Sequence, residues 1–267
     1  FFDPKNKAGF LRSLMIRTTS TEEVMIVLQV FRKEDTILFT LLDALAQEFP
    51  DITSLQYVIN GKANDTIYDQ EIICYKGQDY ITEVMEALQF RITAKSFYQT
   101  NSLQAFELYK VVRELTDLQG DELVYDLYTG TGTIAQFVAQ KAQKVVGVDV
   151  VPDSINAAKS NAVHNKIDNV FFETGDMKAI FTEEFIDRHG KASVVITDPP
   201  RDGMHKDVVQ QLLDLSPDRI VYVSCNSATQ ARDLSLMKEQ YRLVASQAVD
   251  MFPQTHHVEN VVLLQKI

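Results

Sequence analysis

The first third of the chain carries short apolar stretches at two different spacings. Residues 11–17 and 24–31 place their apolar side chains as paired strands do, and residues 36–49 repeat them at helical spacing. Further short apolar stretches predict strands at 53–59, 71–75, 79–85 and 87–93. Two strands, a helix and then more strands are typical of a small α+β layer rather than of a parallel sheet.

The pattern changes beyond residue 93. A helix is predicted over 102–118, where apolar residues recur close to one helical face. Val- and Ile-rich runs separated by helical stretches then predict a parallel sheet that is covered on both faces; the runs lie at 123–128, 144–149, 170–173, 193–197 and 219–224, with helices such as 153–164 and 227–239. The last two apolar runs are joined by the short FPQTHH connection, which permits only an antiparallel return.

These patterns together predict an α/β fold in two domains. We expect a Rossmann-like, doubly wound domain over residues 93–267 that finishes in an antiparallel hairpin, and a small α+β domain over residues 1–92. The chain starts at Phe1 rather than at a methionine. We therefore expect the first domain to be incomplete at its N-terminus and the chain to be a piece of a longer protein.

Composition narrows the functional classes. Hydrophobic residues make up 45% of the chain, as in an ordinary globular protein, and no apolar run approaches the ~18 residues of a membrane span. Two cysteines, Cys74 and Cys225, are too few for a disulfide framework, which favours the cytoplasm. We expect a monomer that binds neither membrane nor metal. With a net charge of −11, it should bind nucleic acid poorly unless its basic residues are grouped or another domain helps.

A glycine-rich turn follows the first strand of the second domain. Gly130 and Gly132 are two of only 10 glycines, and glycine lets the backbone approach a ligand closely. Asp149 ends the next strand, where a carboxylate can accept hydrogen bonds from ribose hydroxyls. Asp176 follows the third strand and could accept from an adenine amino group. The turn predicts a nucleotide-like ligand, and its spacing also fits a dinucleotide.

Three polar clusters follow later strands. Asp198 opens an Asp-Pro-Pro-Arg turn, which many S-adenosylmethionine enzymes carry at this place; the simpler interpretation is a strand stop. Cys225 lies between Ser224 and Asn226, where a thiol can have a lowered pKa, although most such cysteines are small core residues. Glu259 leads into an apolar strand and could equally be a solvated turn carboxylate. It follows a His pair that has no third metal ligand at recognisable spacing.

Together these motifs resemble the RNA (uracil-5-)-methyltransferases, which use S-adenosylmethionine on tRNA and 23S rRNA. The matching pieces stand in the family's order over residues 96–260: SFYQTN, DLYTGTG, GVDVVPDSI, DPPRDG, VSCN and HHVEN. The resemblance implies a class I methyltransferase domain, S-adenosylmethionine as cofactor and an RNA substrate, with 23S rRNA favoured and tRNA as the alternative. Family members usually begin with a basic TRAM domain, and many rRNA-specific members hold an iron–sulfur cluster through four cysteines; this chain resembles neither part.

The resemblance also implies roles for individual residues. Cys225 would be the nucleophile and Glu259 the base. The cofactor and base pocket would be lined by Gln99, Tyr128, Gly130, Gly132, Thr133, Asp149, Asp176 and Asp198.

The expected chemistry requires one thiol and one carboxylate at the same edge of the sheet. Carbon 5 of uracil is a poor nucleophile until a thiolate adds to carbon 6, and a base must then remove the C5 proton. Two other functions stay open. An amino methyltransferase acting through the Asp-Pro-Pro turn needs no thiol, and a non-catalytic RNA-binding or ribosome-assembly factor needs neither group.

Overall fold

The computed structural model describes residues 1–267, which form two compact units, Phe1–Ser96 and Phe97–Ile267. In the first unit, β1 to β4 form a mixed sheet in which only β2 and β3 run parallel, while β5 and β6 form a separate hairpin. Leu38 and Leu42 of α1 are fully buried in the core of this sheet. The elements are β1 (Leu11–Thr18), β2 (Val24–Val30), α1 (Asp35–Glu48), β3 (Ser54–Ile59), β4 (Ile72–Gly77), β5 (Tyr80–Met85) and β6 (Leu88–Thr93).

The second unit begins with a helix and then alternates strands with helices, as the apolar runs predict. Its elements are α2 (Ser102–Thr116), β7 (Leu123–Leu127), α3 (Thr133–Ala139), β8 (Lys144–Asp149), α4 (Pro152–His164), β9 (Val170–Thr174), α5 (Glu183–His189), β10 (Val194–Thr197), α6 (Lys206–Leu215), β11 (Arg219–Ser224), α7 (Ser227–Met237), β12 (Tyr241–Val249) and β13 (Glu259–Lys266). None of the seven helices of the chain has the length and apolar character that crossing a bilayer requires.

The seven strands of this unit form one sheet in the order β12-β13-β11-β10-β7-β8-β9. Strands β7 to β11 are parallel to one another, and β13 is antiparallel to both β11 and β12. The predicted α/β class, with a doubly wound sheet and an antiparallel end, is confirmed. The connectivity adds that the last strand, β13, and not β12, is inserted beside β11.

The two glycines of the turn after β7 serve different purposes. Gly132 has a φ of +76°, and a methyl group there would lie 2.6 Å from the Phe172 ring and 2.9 Å from the Ala158 methyl. Gly130 has a φ of +55°, yet a methyl group there would meet nothing within 4 Å. Gly132 is therefore needed for packing, whereas the space over Gly130 is open to a ligand.

We expect Gly132→Ala to lower the free energy of unfolding by about 2–4 kcal/mol, because overpacking adds to the cost of a positive φ. Gly130→Ala should cost only the conformational part, about 1–2 kcal/mol. Urea denaturation of both variants beside the parent protein measures the difference. Equal losses would contradict the packing role of Gly132.

Candidate active site

The register between β11 and β13 brings Cys225 and Glu259 together. Ser224 pairs with Asn260 across these antiparallel strands, so the next pair toward the carboxyl end of β11 is Cys225 and Glu259. The effect of Glu259 on the pKa of Cys225 agrees with this proximity. Burial raises the pKa of the Cys225 thiol, and the Glu259 carboxylate raises it further.

Gln230 of α7 fixes this register. Its side chain is buried, and its amide nitrogen donates to the carbonyl oxygens of Tyr222 and Asn260 at 2.9 and 3.1 Å. Its amide oxygen accepts a hydrogen bond from the Asn260 side chain at 2.7 Å. One side chain thus ties β11, β13 and α7 together, and a slip of β13 by one residue would turn the Asn260 side chain to the other face.

Asn226 holds the residue beside it at the edge of the sheet. Its side-chain oxygen caps α7 by accepting from the backbone nitrogens of Ala228 and Thr229 at 3.1 and 3.4 Å. Its side-chain nitrogen donates to the carbonyl oxygen of Arg201 at 3.2 Å. Cys225 is therefore fixed between the end of β11 and the first turn of α7, half-buried.

Arg201 supplies the cation of the site. Its guanidinium interacts with both Cys225 and Glu259 and lowers their pKa values, which opposes the increases that burial causes. One terminal nitrogen lies 3.2 and 3.1 Å from the two ring nitrogens of His257. The motif DPPRDG contains Arg201, but nothing in its residue types pairs this arginine with a cysteine 24 positions later. The pairing depends on tertiary structure.

The turn that carries Arg201 is anchored on α7 by the buried Asp233. Its carboxylate accepts from the backbone nitrogen of Met204 and from the hydroxyl of Tyr222, both at 2.8 Å. The adjacent Arg232 forms an ion pair with Asp233 at 2.8 Å and donates to the carbonyl oxygen of Asp202 at 2.8 Å. The arginine and the thiol are thus both positioned by the same helix.

Two further carboxyl groups lie at the carboxyl ends of β7 and β10. Asp126 accepts from the Thr129 hydroxyl at 2.5 Å and from the Ala135 nitrogen at 3.1 Å, but its other carboxyl oxygen is buried without a hydrogen-bond partner. Burial raises the pKa of Asp126 to about 7. Burial raises the pKa of Asp198 to about 8, and Glu259 and Asp126 add to that increase.

Tyr109 reaches this carboxyl group cluster from α2. Its side chain is buried, and burial raises its pKa well above the usual value, with Asp198 and Tyr98 as the next causes. The hydroxyl therefore stays protonated and remains a donor. Helical spacing assigns Tyr109 to an apolar face, which is correct for its ring but does not reveal its polar surroundings.

The predicted ligand turn is fixed by Asp149. Its carboxylate accepts from the backbone nitrogens of Gly130 and Val151, each at 2.9 Å. Asp176 is exposed and accepts from the Lys178 nitrogen at 3.0 Å. Burial raises the pKa of Tyr128 to about 12, and Asp176 and Asp149 contribute. Asp149 and Asp176 thus lie within electrostatic range of Tyr128, which begins the turn.

Two of the predicted site residues, Thr133 and Gln99, make no hydrogen bond to the other predicted site residues. Thr133 begins α3, and its hydroxyl lies 3.3 Å from that of Thr131. Gln99 makes no hydrogen bond to the other candidates. Its segment is tethered by Asn101, which caps α2 and donates to the carbonyl oxygen of Met251 at 2.9 Å, in the connection that leads to Glu259.

Asp198 should make the stability of the protein depend on pH. Its pKa is about 8 in the folded chain and ~4 when unfolded, so the native state binds more protons between these values and stability falls as pH rises through this range. Asp198→Asn should therefore unfold with a free energy about 1–3 kcal/mol higher than the parent at pH 9. The gain should vanish near pH 4.

Thermal and urea unfolding across this pH range measures the effect. Asp202→Asn, an exposed change in the same turn, is the matched control and should show no such pH-dependent gain. A pH-independent difference for Asp198→Asn would contradict the assignment.

Arg201 should control the reactivity of the Cys225 thiol. Without this guanidinium the thiol pKa rises, so Arg201→Ala should slow alkylation of Cys225 by iodoacetamide about 3- to 10-fold at pH 7.5. A Cys74→Ser background removes the other, exposed thiol. Arg201→Lys keeps the positive charge, so its alkylation rate should lie between those of the parent protein and Arg201→Ala. An unchanged rate for Arg201→Ala would show that Arg201 does not control the thiol.

Known proteins resemble this chain over nearly its whole length. The tRNA (uracil-5-)-methyltransferase family model matches residues 13–267. A protein described as an uncharacterized RNA methyltransferase from Porphyromonas gingivalis is 59% identical over 99% of this chain and 57% of its own length. One of the same description from Bacteroides thetaiotaomicron is 54% identical over 99% of this chain and 59% of its own length. The chain therefore spans less than two thirds of these relatives.

Solved structures agree with these relationships. The tRNA (uracil-54, C5)-methyltransferase of Pyrococcus abyssi, in complex with S-adenosyl-L-homocysteine, is 33% identical, with a TM-score of 0.81 over 97% of this chain and 61% of that one. The predicted class I methyltransferase fold is thereby confirmed. The M. jannaschii tRNA m1G37 methyltransferase, at 12% identity and a TM-score of 0.59, shares the fold alone. By the extent and identity of these matches, the chain belongs to the tRNA (uracil-5-)-methyltransferase family.

Proposed function

We propose that this chain carries the active site of an enzyme that transfers a methyl group from S-adenosylmethionine to carbon 5 of a uridine in RNA. The observation that supports this most strongly is the position of Cys225 and Glu259 one residue beyond the Ser224–Asn260 pair of β11 and β13, with Arg201 interacting with both. A thiol and a carboxylate at one sheet edge are the groups that C5 methylation of uracil needs, and the guanidinium favours the thiolate.

Cys225 begins the reaction as a thiolate, the form that Arg201 favours. Its sulfur adds to carbon 6 of the uracil, and the electrons of the C5=C6 bond move toward C5 and the C4 carbonyl, so that C5 becomes nucleophilic. Bound S-adenosylmethionine supplies the methyl group that C5 takes. Dividing the reaction into addition and elimination lowers each barrier.

Glu259 completes the reaction. Its carboxylate removes the proton from C5, the C–H electrons restore the C5=C6 bond, and the C6–S bond breaks to return the Cys225 thiolate. Burial raises the pKa of Glu259 above that of an exposed glutamate, which brings the base closer to neutral pH and strengthens it.

The turn over residues 128–133 fits the proposed cofactor. The open space at Gly130 would admit the ligand, and the Asp149 carboxylate beside it has free lone pairs for ribose hydroxyls. Asp176 would accept from the adenine amino group, and Tyr128 would pack between them. Gln99 and Asp198 would contact the methionine part or the polar edge of the uracil.

The RNA class is a further part of the proposal. The solved relative from Pyrococcus abyssi is described as a tRNA (uracil-54, C5)-methyltransferase, whereas our expectation from the family resemblance favours 23S rRNA, with tRNA as the alternative. In either RNA the uracil must leave its stack to reach Cys225. Incubation of the full-length protein with each purified RNA, followed by mapping of 5-methyluridine, distinguishes the two.

The other two functions receive less support. An amino methyltransferase acting at Asp198 would have no use for a thiol paired with a carboxylate and an arginine. A non-catalytic RNA-binding factor would not need to bury carboxyl groups at raised pKa values, because burying unpaired charges costs stability.

Two variants test the roles of the catalytic pair. Cys225→Ala should abolish both methyl transfer and any covalent protein–RNA species, because C5 is never activated. Glu259→Gln should still add the thiolate and accept the methyl group, but turnover should fall about 10²- to 10⁴-fold. A methylated covalent adduct should then accumulate and survive denaturing electrophoresis.

The unmutated protein should form the same kind of adduct with 5-fluorouridine RNA, because fluorine at C5 cannot be removed as a proton. Normal turnover by Glu259→Gln, or an adduct with Cys225→Ala, would contradict these roles. Methylation of an exocyclic amino group instead of C5 would favour the amino methyltransferase.

A further inference from the structure

Three carboxyl groups lie near the carboxyl edge of the sheet: Asp126 in β7, Asp198 after β10 and Glu259 at the start of β13. The Asp198 backbone nitrogen donates to the Leu127 carbonyl oxygen at 3.3 Å, which places Asp198 beside Tyr128 at the start of that turn. Asp126 lies in β7, two positions before Tyr128, and also acts electrostatically on Asp198. Glu259 approaches from the other side and acts electrostatically on Asp198.

Two members of this cluster, Asp126 and Asp198, have no positively charged partner. The Asp198 carboxyl group is half-buried, makes no hydrogen bond within the protein, and has no cation among the groups that act on it. Asp126 is 1% exposed, and one of its carboxyl oxygens is buried without a partner. The cation of the neighbourhood, Arg201, acts on Cys225 and Glu259 instead.

The remaining groups around the cluster are neutral or acidic. Tyr109 of α2 and Tyr98 before it contribute phenols, and the Cys225 thiol lies at the end of β11. Buried carboxyl groups without a cation are costly in a protein. A ligand that brings a positive charge to this place would remove that cost, whereas a neutral ligand would leave it.

We propose that the carboxyl cluster of Asp126, Asp198 and Glu259 makes the pocket select the cationic sulfonium form of its cofactor over the neutral thioether that remains after methyl transfer. This inference rests on the proposed function. The positive charge disappears in the reaction itself, so the attraction that holds the methyl donor is lost when it has reacted. The same groups thereby favour release of the product.

Asp198 is the member of the cluster through which charge selection is best tested. Calorimetric titration should use three ligands: S-adenosylmethionine, S-adenosylhomocysteine and sinefungin, an analogue that carries an ammonium in place of the sulfonium. At pH 8.5, where a carboxyl group with a pKa of about 8 is mostly ionised, we expect Asp198→Asn to bind the two cationic ligands about 10-fold more weakly and the neutral one with less than 2-fold change. The measurement is of binding and requires no RNA.

Two control variants separate charge selection from other effects. Asp202→Asn removes an exposed charge in the same turn and should leave all three affinities unchanged. Asp149→Ala removes the proposed ribose acceptor and should weaken all three ligands by a similar factor, because the ribose is common to them.

The outcomes are distinguishable. If neither S-adenosylmethionine nor S-adenosylhomocysteine binds the unmutated protein, the proposed function itself fails. If both bind and Asp198→Asn changes the three ligands by the same factor, the proposed function stands and charge selection is overturned. Weaker binding confined to the two cations supports the proposal.

Discussion

The catalytic arrangement depends on one strand pairing, that of β13 with β11. The hydrogen bonding that pairs Asn260 with Ser224 also places Glu259 beside Cys225, although the two residues lie 34 positions apart in the sequence. Gln230 holds the pairing by bonding both strands from α7. The same helix anchors the Arg201 turn through Asp233. Thiol, carboxylate and guanidinium are therefore positioned by a single rigid assembly rather than by mobile loops.

The carboxyl groups near the site differ in whether the protein satisfies their hydrogen bonds. Asp233 is buried but satisfied by Met204, Tyr222 and Arg232, and its effect is to hold structure. Asp126 is buried with one carboxyl oxygen unbonded, and Asp198 is half-buried without a side-chain hydrogen bond; the effect of both is to oppose the folded state at neutral pH. Proteins keep such destabilising groups mainly where a ligand or a reaction requires them, which separates supporting residues from candidate functional ones.

Local signals in the sequence predict most of the fold but only part of the site. Val- and Ile-rich runs locate the central strands because a strand buried on both faces must be apolar, and the glycine turn and the Asp-Pro-Pro turn mark the carboxyl edge. Arg201, Asp126 and Tyr109 are different. Their environment is created by register and helix packing over long sequence distances, and residue type alone does not show it. The local sequence likewise does not predict that β13 is inserted beside β11, since both β12 and β13 are apolar enough to pair there.

The position of β13 in the sheet also affects how the protein is made. During synthesis β11 leaves the ribosome well before β13, and until β13 arrives one edge of β11 presents unpaired backbone groups and the buried side chains of Ile220, Val221 and Tyr222. An apolar open edge of this kind is a template for unwanted pairing with other chains. The nascent protein is thus most vulnerable to aggregation in the interval between these two strands, and the thiol has no base beside it until that interval ends.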